Sequence, residues 1–141
     1  MKILLAVDGS LYSLKAADFL AAHLEWFKTP AELHLLHVKL PIPPGHARAA
    51  MGKEVVERYY CEESEAALKP TQEALRTHGV PFQSMFKVGE IGAEIQAYAE
   101  ENAIDMIVMG SHGHGALKNL VMGSVATKVL ATTKLPVLIV R

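Results

Sequence analysis

"KILLAVDGSLYSLKAADFL", Lys2 to Leu20, decides the fold. Its first six residues form an apolar run without polar alternation, as in a strand buried on both faces of a parallel sheet. The run stops at the turn sequence Asp8-Gly9-Ser10, and a helical pattern then extends from Ser13 to Phe27. This strand, turn and helix unit recurs along the chain. Three more runs of the same kind lie at Glu32–Val38, Ile104–Met109 and Pro136–Val140, while Pro81–Val88 alternates more and reads as a strand near an edge. Further helical patterns occupy about Met51–His78, Gly92–Asn102 and Ser124–Thr133. The order βαβαβαβαβ predicts a doubly wound, five-stranded parallel sheet with helices on both faces, of Rossmann-like α/β type. Pro70 falls inside the second helical pattern and is expected to kink or split it. Leu40–Ala50, with its three prolines and a glycine, is the one long loop, and mobility is expected around Pro41 to Arg48. With no linker or internal repeat, one domain over residues 1–141 is expected.

Composition excludes several classes of partner. Half the residues are hydrophobic and 21% charged, too apolar a balance for disorder. A net charge of -1 and a pI near 6.6, with Lys and Arg scattered, argue against nucleic acid and anionic membrane as partners. The single cysteine, Cys61, has no partner for an intramolecular disulfide and no zinc-ligand spacing, so a reducing compartment is expected. The N-terminal apolar run ends at Asp8, short for a signal peptide, and no stretch approaches the ~20 residues of a spanning helix. A cytoplasmic location follows as the expectation.

In an open α/β sheet, ligands collect outside the carboxyl ends of the strands where the strand order reverses. The first strand runs into Asp8-Gly9-Ser10, and the fourth runs into "GSHGHGALKNLVMGSVATKVL", Gly110 to Leu130. If these strands are neighbours, both loops border one crevice. Gly110 and Gly115 have P-loop spacing, but Ala116 and Leu117 stand where the lysine and hydroxyl of that motif would be. The dinucleotide fingerprint G-x-G-x-x-G is absent too. What remains is Gly110-x2-Gly113-x9-Gly123-Ser124, with Gly123 and Ser124 at the start of the last helix. A helix N-terminus approached by glycine and flanked by a serine hydroxyl is an anion site suited to phosphate. The same residues admit a plainer reading, in which Gly110 and Gly113 shape a turn and Ser124 caps the helix.

The opening "ILLAVDGS", the "DMIVMGSHG" run at Asp105 to Gly113 and the closing "LPVLIV" resemble the universal stress protein family along essentially the whole chain. The glycine spacing is similar to the motif that marks the family's ATP-binding branch. The resemblance implies that Ala6, Val7 and Asp8 contact the adenosine half, with Val38 beside adenine and Met109 and Gly110 flanking it. Gly113, Gly123, Ser124 and Val125 would hold the phosphates of ATP, ADP or AMP, with Mg2+. Ala126 stands where many relatives have a serine or threonine, which removes one hydroxyl contact. The resemblance further implies a nucleotide-responsive dimeric regulator in stress response, acting through an unidentified protein partner. The last strand, Val137, Leu138, Ile139 and Val140, is uncharged, and as a sheet edge it would invite two-fold pairing into a homodimer.

Asp8 has no second carboxylate nearby in sequence for acid–base work, and the missing Asp pair in the first turn argues against a phosphoacceptor receiver; a flavodoxin phosphate loop fits "DGSLYS" poorly. His112 and His114 lack a third metal ligand in the loop and read as polar side chains near the phosphates, as does His112 within the binding set. Lys118 is a second such candidate. His34 and His37 are assigned no role, and Trp26, Phe19 and Phe27 fall at helical spacing and read as core. The alternatives to a binding protein are a slow ATPase or phosphotransferase in the same pocket, or a dimeric interaction module without nucleotide. No residue for activating water and no arginine finger stands within the motif, which favours binding over turnover.

Overall fold

The computed structural model describes residues 1–45, 52–115 and 121–141. Five strands form one sheet: β1 (Lys2–Val7), β2 (Glu32–Lys39), β3 (Phe82–Val88), β4 (Met106–Gly110) and β5 (Val137–Val140). Four α-helices connect them: α1 (Leu11–Ala22), α2 (Lys53–Thr77), α3 (Ile91–Glu101) and α4 (Ser124–Thr132). The strand order is β3-β2-β1-β4-β5, and every neighbouring pair is parallel. β1 therefore sits at the centre with β2 on one side and β4 on the other. The chain winds outward to β3, then crosses over to β4, so the order reverses between β1 and β4. The two loops singled out from the sequence meet there.

Strand alternation builds two cores. Ile3, Leu5, Val7, Leu33, Leu35 and Val108 face α1 and α2, where Ala16, Leu20, Leu68 and Leu75 cover them. Leu4, Ala6, Leu36, Val38, Ile107 and Met109 face α3 and α4, under Ile95, Tyr98, Ala126 and Val129. Both faces are covered by helices, which explains why these strands carry continuous apolar runs. β3 is the edge strand anticipated, and β5 is the opposite edge, half-buried along its length rather than buried on both faces.

Several expectations change. α2 runs without a break from Lys53 to Thr77 through Pro70. Its buried residues, Val56, Tyr60, Ser64, Leu68, Thr71 and Leu75, recur every three or four positions and press one face onto the sheet and α1. Pro70 lies on the exposed face, where solvent can meet the carbonyl four residues back that loses its donor. α1 ends at Ala22, and a single 3-10 turn, Leu24–Trp26, follows. Trp26 is 63% exposed and so is not core: it meets His23 and Phe19 edge-to-face at the surface, while Phe19 and Phe27 are half-buried. The distal part of the Leu40–Ala50 loop lies outside the described residues, as does Lys118. No described helix is long and apolar enough to cross a membrane.

Candidate functional site

Asp8 leaves the carboxyl end of β1 and starts the first turn. Its Oδ1 accepts hydrogen bonds from the Ser10 N–H (2.9 Å) and the Ser13 hydroxyl (2.7 Å), while its own N–H donates to Ser13 Oγ (3.0 Å). Ser10 caps α1 by accepting from the Ser13 N–H. Gly9 sits at φ +81°, a left-handed turn position that also brings the backbone against Ala67 of α2. Burial pushes the Asp8 carboxyl up, but hydrogen bonding from Ser10 and Ser13 and the nearby His114 outweigh it. The carboxyl is held below its ordinary value, ionised at neutral pH.

Across the β1–β4 ladder lies the glycine loop, and Gly110, Gly113 and Gly123 are explained by contacts within the protein. Gly110 faces α1, where a Cβ would lie 2.6 Å from Tyr12 Cβ and 2.8 Å from the Tyr12 carbonyl oxygen. A Cβ on Gly113 would collide with Asp8 Oδ2, and one on Gly123 would sit 3.2 Å from the backbone of Ser111 and His112. Gly115 has nothing within 4 Å. The spacing thus records close packing of loop, α1 and Asp8. The Gly123 N–H donates to the Ser111 carbonyl (2.8 Å), and the Ser111 N–H to Val140 (2.7 Å), which ties the loop to both β5 and α4.

The helix that follows has no side-chain cap. Gly123 is the N-cap, in extended conformation, and Ser124 is the first helical residue, so the capping role considered for Ser124 is not the one it has. Ser124 is exposed and the first-turn N–H groups of α4 are not claimed by a side chain, leaving donors and the positive end of the helix dipole facing outward.

These parts enclose a cavity of about 520 Å³ on the α3–α4 side of the sheet. All twelve residues nominated as binding residues line it: Ala6, Val7, Asp8, Val38, Met109, Gly110, His112, Gly113, Gly123, Ser124, Val125 and Ala126. Ala6, Val38 and Met109 supply an apolar floor, and Gly123 to Ala126 supply the helix end. Six further lining residues went unnoticed in the sequence: Ser13, Leu36, Leu40, Ile91, Ile95 and Ser111. Leu36 was within reach, because a strand puts i and i+2 on one face and Val38 was already nominated. Ile91 and Ile95, four apart at the start of α3, share a helical face in the same way.

The loop histidines are anchored. His114 Nε2 is 3.0 Å from the Asp8 carbonyl, and His112 Nδ1 is 2.9 Å from Ser111 Oγ with its ring against Tyr12. His34 is buried between Tyr98 and Glu32, bonded to both. His37 points to the α2 side, where Nδ1 donates to the Val7 carbonyl (2.9 Å) and burial keeps the imidazole below its ordinary pKa.

A doubly wound parallel sheet with a glycine loop and an uncapped helix at its switch point places the chain in the Rossmann-like α/β class. The model of the universal stress protein family matches residues 1–141, and the chain belongs to that family. Universal stress protein YxiE of Bacillus subtilis is 34% identical, over 99% of this chain and 98% of its own length. The solved structure of MJ0577 is 27% identical with a TM-score of 0.77, covering 99% of this chain and 94% of that one. A universal stress protein from Archaeoglobus fulgidus, solved in complex with dAMP, matches at 22% identity and TM-score 0.71 over 100% of this chain and 98% of its own. At that distance it shows the shared fold, and the dAMP is a property of that protein.

Proposed function

We propose that this chain binds an adenine nucleotide, ATP with Mg2+, in the cavity at the β1–β4 switch point. It acts as a cytoplasmic, homodimeric regulator in stress response, its output passing to a protein partner. One observation carries the binding reading: the uncapped N-terminus of α4 and the apolar floor of β1, β2 and β4 open into one cavity. A base fits the apolar end and phosphates fit the helix end, and 520 Å³ lies within the range of small-ligand sites. Ala6, Leu36, Val38 and Met109 would flank the base; the backbone of Gly123 to Ala126 and the Ser124 hydroxyl would meet the phosphates. Among the described lining residues Asp8 is the only carboxylate, so Mg2+ would be held chiefly by phosphate oxygens and water.

Calorimetry on nucleotide-free protein tests this. A ligand at a hundredfold excess over Kd adds about 2.7 kcal/mol to the native state. For a chain of this length that is a rise in melting temperature of roughly 5–10 °C. Ser124→Asp is the informative variant. A carboxylate in the first turn suits the helix dipole and leaves the ligand-free melt unchanged or slightly higher, but it repels phosphate. The ATP-dependent shift should collapse while a shift with adenosine survives. Wild-type protein that shows no shift with ATP and Mg2+ ends the reading.

A further inference from the structure

Asp8 is held asymmetrically. Oδ1 is saturated by the Ser10 N–H and the Ser13 hydroxyl, whereas no hydrogen bond from the described residues reaches Oδ2, which lies in the space left by the missing Cβ of Gly113. Ser13 is 3% exposed and lines the cavity beside Asp8. Its hydroxyl has both roles committed, donating to the carboxylate and accepting from the Asp8 N–H, so it cannot rotate without losing one of them. We infer that Ser13, acting beside Ser10, is a positioning residue of this site: by occupying Oδ1 it holds the Asp8 carboxylate in one orientation and leaves Oδ2 for a donor on the adenosine half of the ligand. The inference rests on the nucleotide reading above and adds to it a residue that the glycine motif does not contain.

The physical chemistry gives the consequences. A hydrogen bond to the ionised form favours that form, and here such bonds overcome the burial that would otherwise protonate Asp8. Among the described residues, the charged or titratable side chains that share a cavity with Asp8 are His112 and His114 from the glycine loop, His37 from β2, and Lys39 and Glu63 across a smaller cavity of about 320 Å³ on the α2 side. Lys39 is paired with Glu63 at 3.0 Å, and burial keeps His37 toward its neutral form, so the hydrogen bonds from Ser10 and Ser13 are what chiefly hold the Asp8 carboxyl down. Because the folded carboxyl is depressed, ligand acceptance by Asp8 is complete above its ordinary titration range and fades as pH falls through the depressed value. Removing the Ser13 hydroxyl moves that fading upward in pH.

The experiment reads Asp8 directly and the ligand separately. The Asp8 carboxyl carbon is titrated by NMR in the ligand-free chain, and AMP affinity is measured by calorimetry across the same pH range, in wild type, Ser13→Ala, Ser13→Thr and Asp8→Asn. In Ser13→Ala the Asp8 midpoint should move up. AMP affinity at pH 7 should fall roughly fivefold, the effect of losing one modest hydrogen bond, and its acid limb should move up with the carbon titration. Ser13→Thr, which keeps the hydroxyl, should restore both, and Asp8→Asn should leave only the acid limb that AMP's own adenine and phosphate titrations produce. The inference is overturned if Ser13→Ala leaves the Asp8 midpoint where it was, or weakens AMP without moving the acid limb, or if Asp8→Asn has the same acid limb as wild type. Wild type that does not bind AMP at all removes the nucleotide reading and the positioning role together. AMP bound by wild type with an Asp8 titration indifferent to Ser13 removes the positioning role alone.

Discussion

Gly110 and Gly115 stand five positions apart in one loop and should respond oppositely to the same added methyl group. At Gly110 a Cβ would lie 2.7 Å from the Tyr12 carbonyl carbon, backbone that α1 cannot withdraw without lifting from β4. Gly110→Ala should therefore cost about 1–3 kcal/mol, the usual penalty of overpacking. At Gly115 the added carbon meets nothing within 4 Å and the backbone is not left-handed, so Gly115→Ala should be neutral or stabilise by about 0.4–1 kcal/mol through the unfolded chain. Urea midpoints of the two variants check the contrast, and equal losses would contradict it. The pattern of glycines was legible in the sequence, but its cause was not. Spacing cannot separate a glycine that admits a ligand from one that admits Tyr12, because Tyr12 and Gly110 become neighbours only when β1 and β4 pair. Asp8 and Gly113 were likewise both nominated, without any sign that the carboxylate of one fills the space of the other.

Among the elements, β1 was legible to the residue and the other strands to within two at either end, since a strand covered on both faces must be apolar throughout. Helix ends were harder. The apolar spacing of α1 continues through Trp26, yet the chain leaves the helix at His23, whose ring stacks on Phe19 and meets Trp26 edge-to-face, at centroid distances of 4.3 and 4.2 Å. Aromatic residues packed on one another at a surface carry the same spacing as residues packed into a core. Pro70 misled for the opposite reason, because local propensity gave way to the long buried stripe of α2. That stripe holds the helix through a residue that supplies no N–H. Pro70→Ala would restore the missing intrahelical donor and should stabilise the protein by about 1–3 kcal/mol, the cost of proline within a helix less the restriction it imposes on the unfolded chain. Thermal and denaturant melts measure it. A less stable variant would show that the local helix is distorted to suit proline.

At the scale of the whole molecule, the alternation of strands and helices left the strand order open, and the order determines everything about the site. Only with β1 beside β4 do Asp8 and the glycine loop share a cavity. The same order leaves β5 with one open edge. The carbonyls of Pro136 and Val140 accept from the N–H groups of Ile107 and Ser111, and residues alternate along a parallel ladder, so Val137 and Ile139 turn their N–H and C=O groups outward. Two-fold pairing of that edge is the contact proposed for the homodimer. A charge at Leu138 or Ile139 tests it poorly, because Leu138 packs against the α1–α2 core and Ile139 against the α3–α4 core. Val137→Pro is cleaner: Val137 also touches the α3–α4 core, but proline keeps an apolar ring there, removes an outward donor at the first residue of the edge strand and leaves the bonds to β4 in place. In sedimentation equilibrium the variant should have the mass of a monomer where wild type has that of a dimer, with the ligand-free melt lowered by only a few degrees. A Val137→Pro dimer as tight as wild type would place the contact on another surface, and a monomeric wild type would remove the proposed dimer.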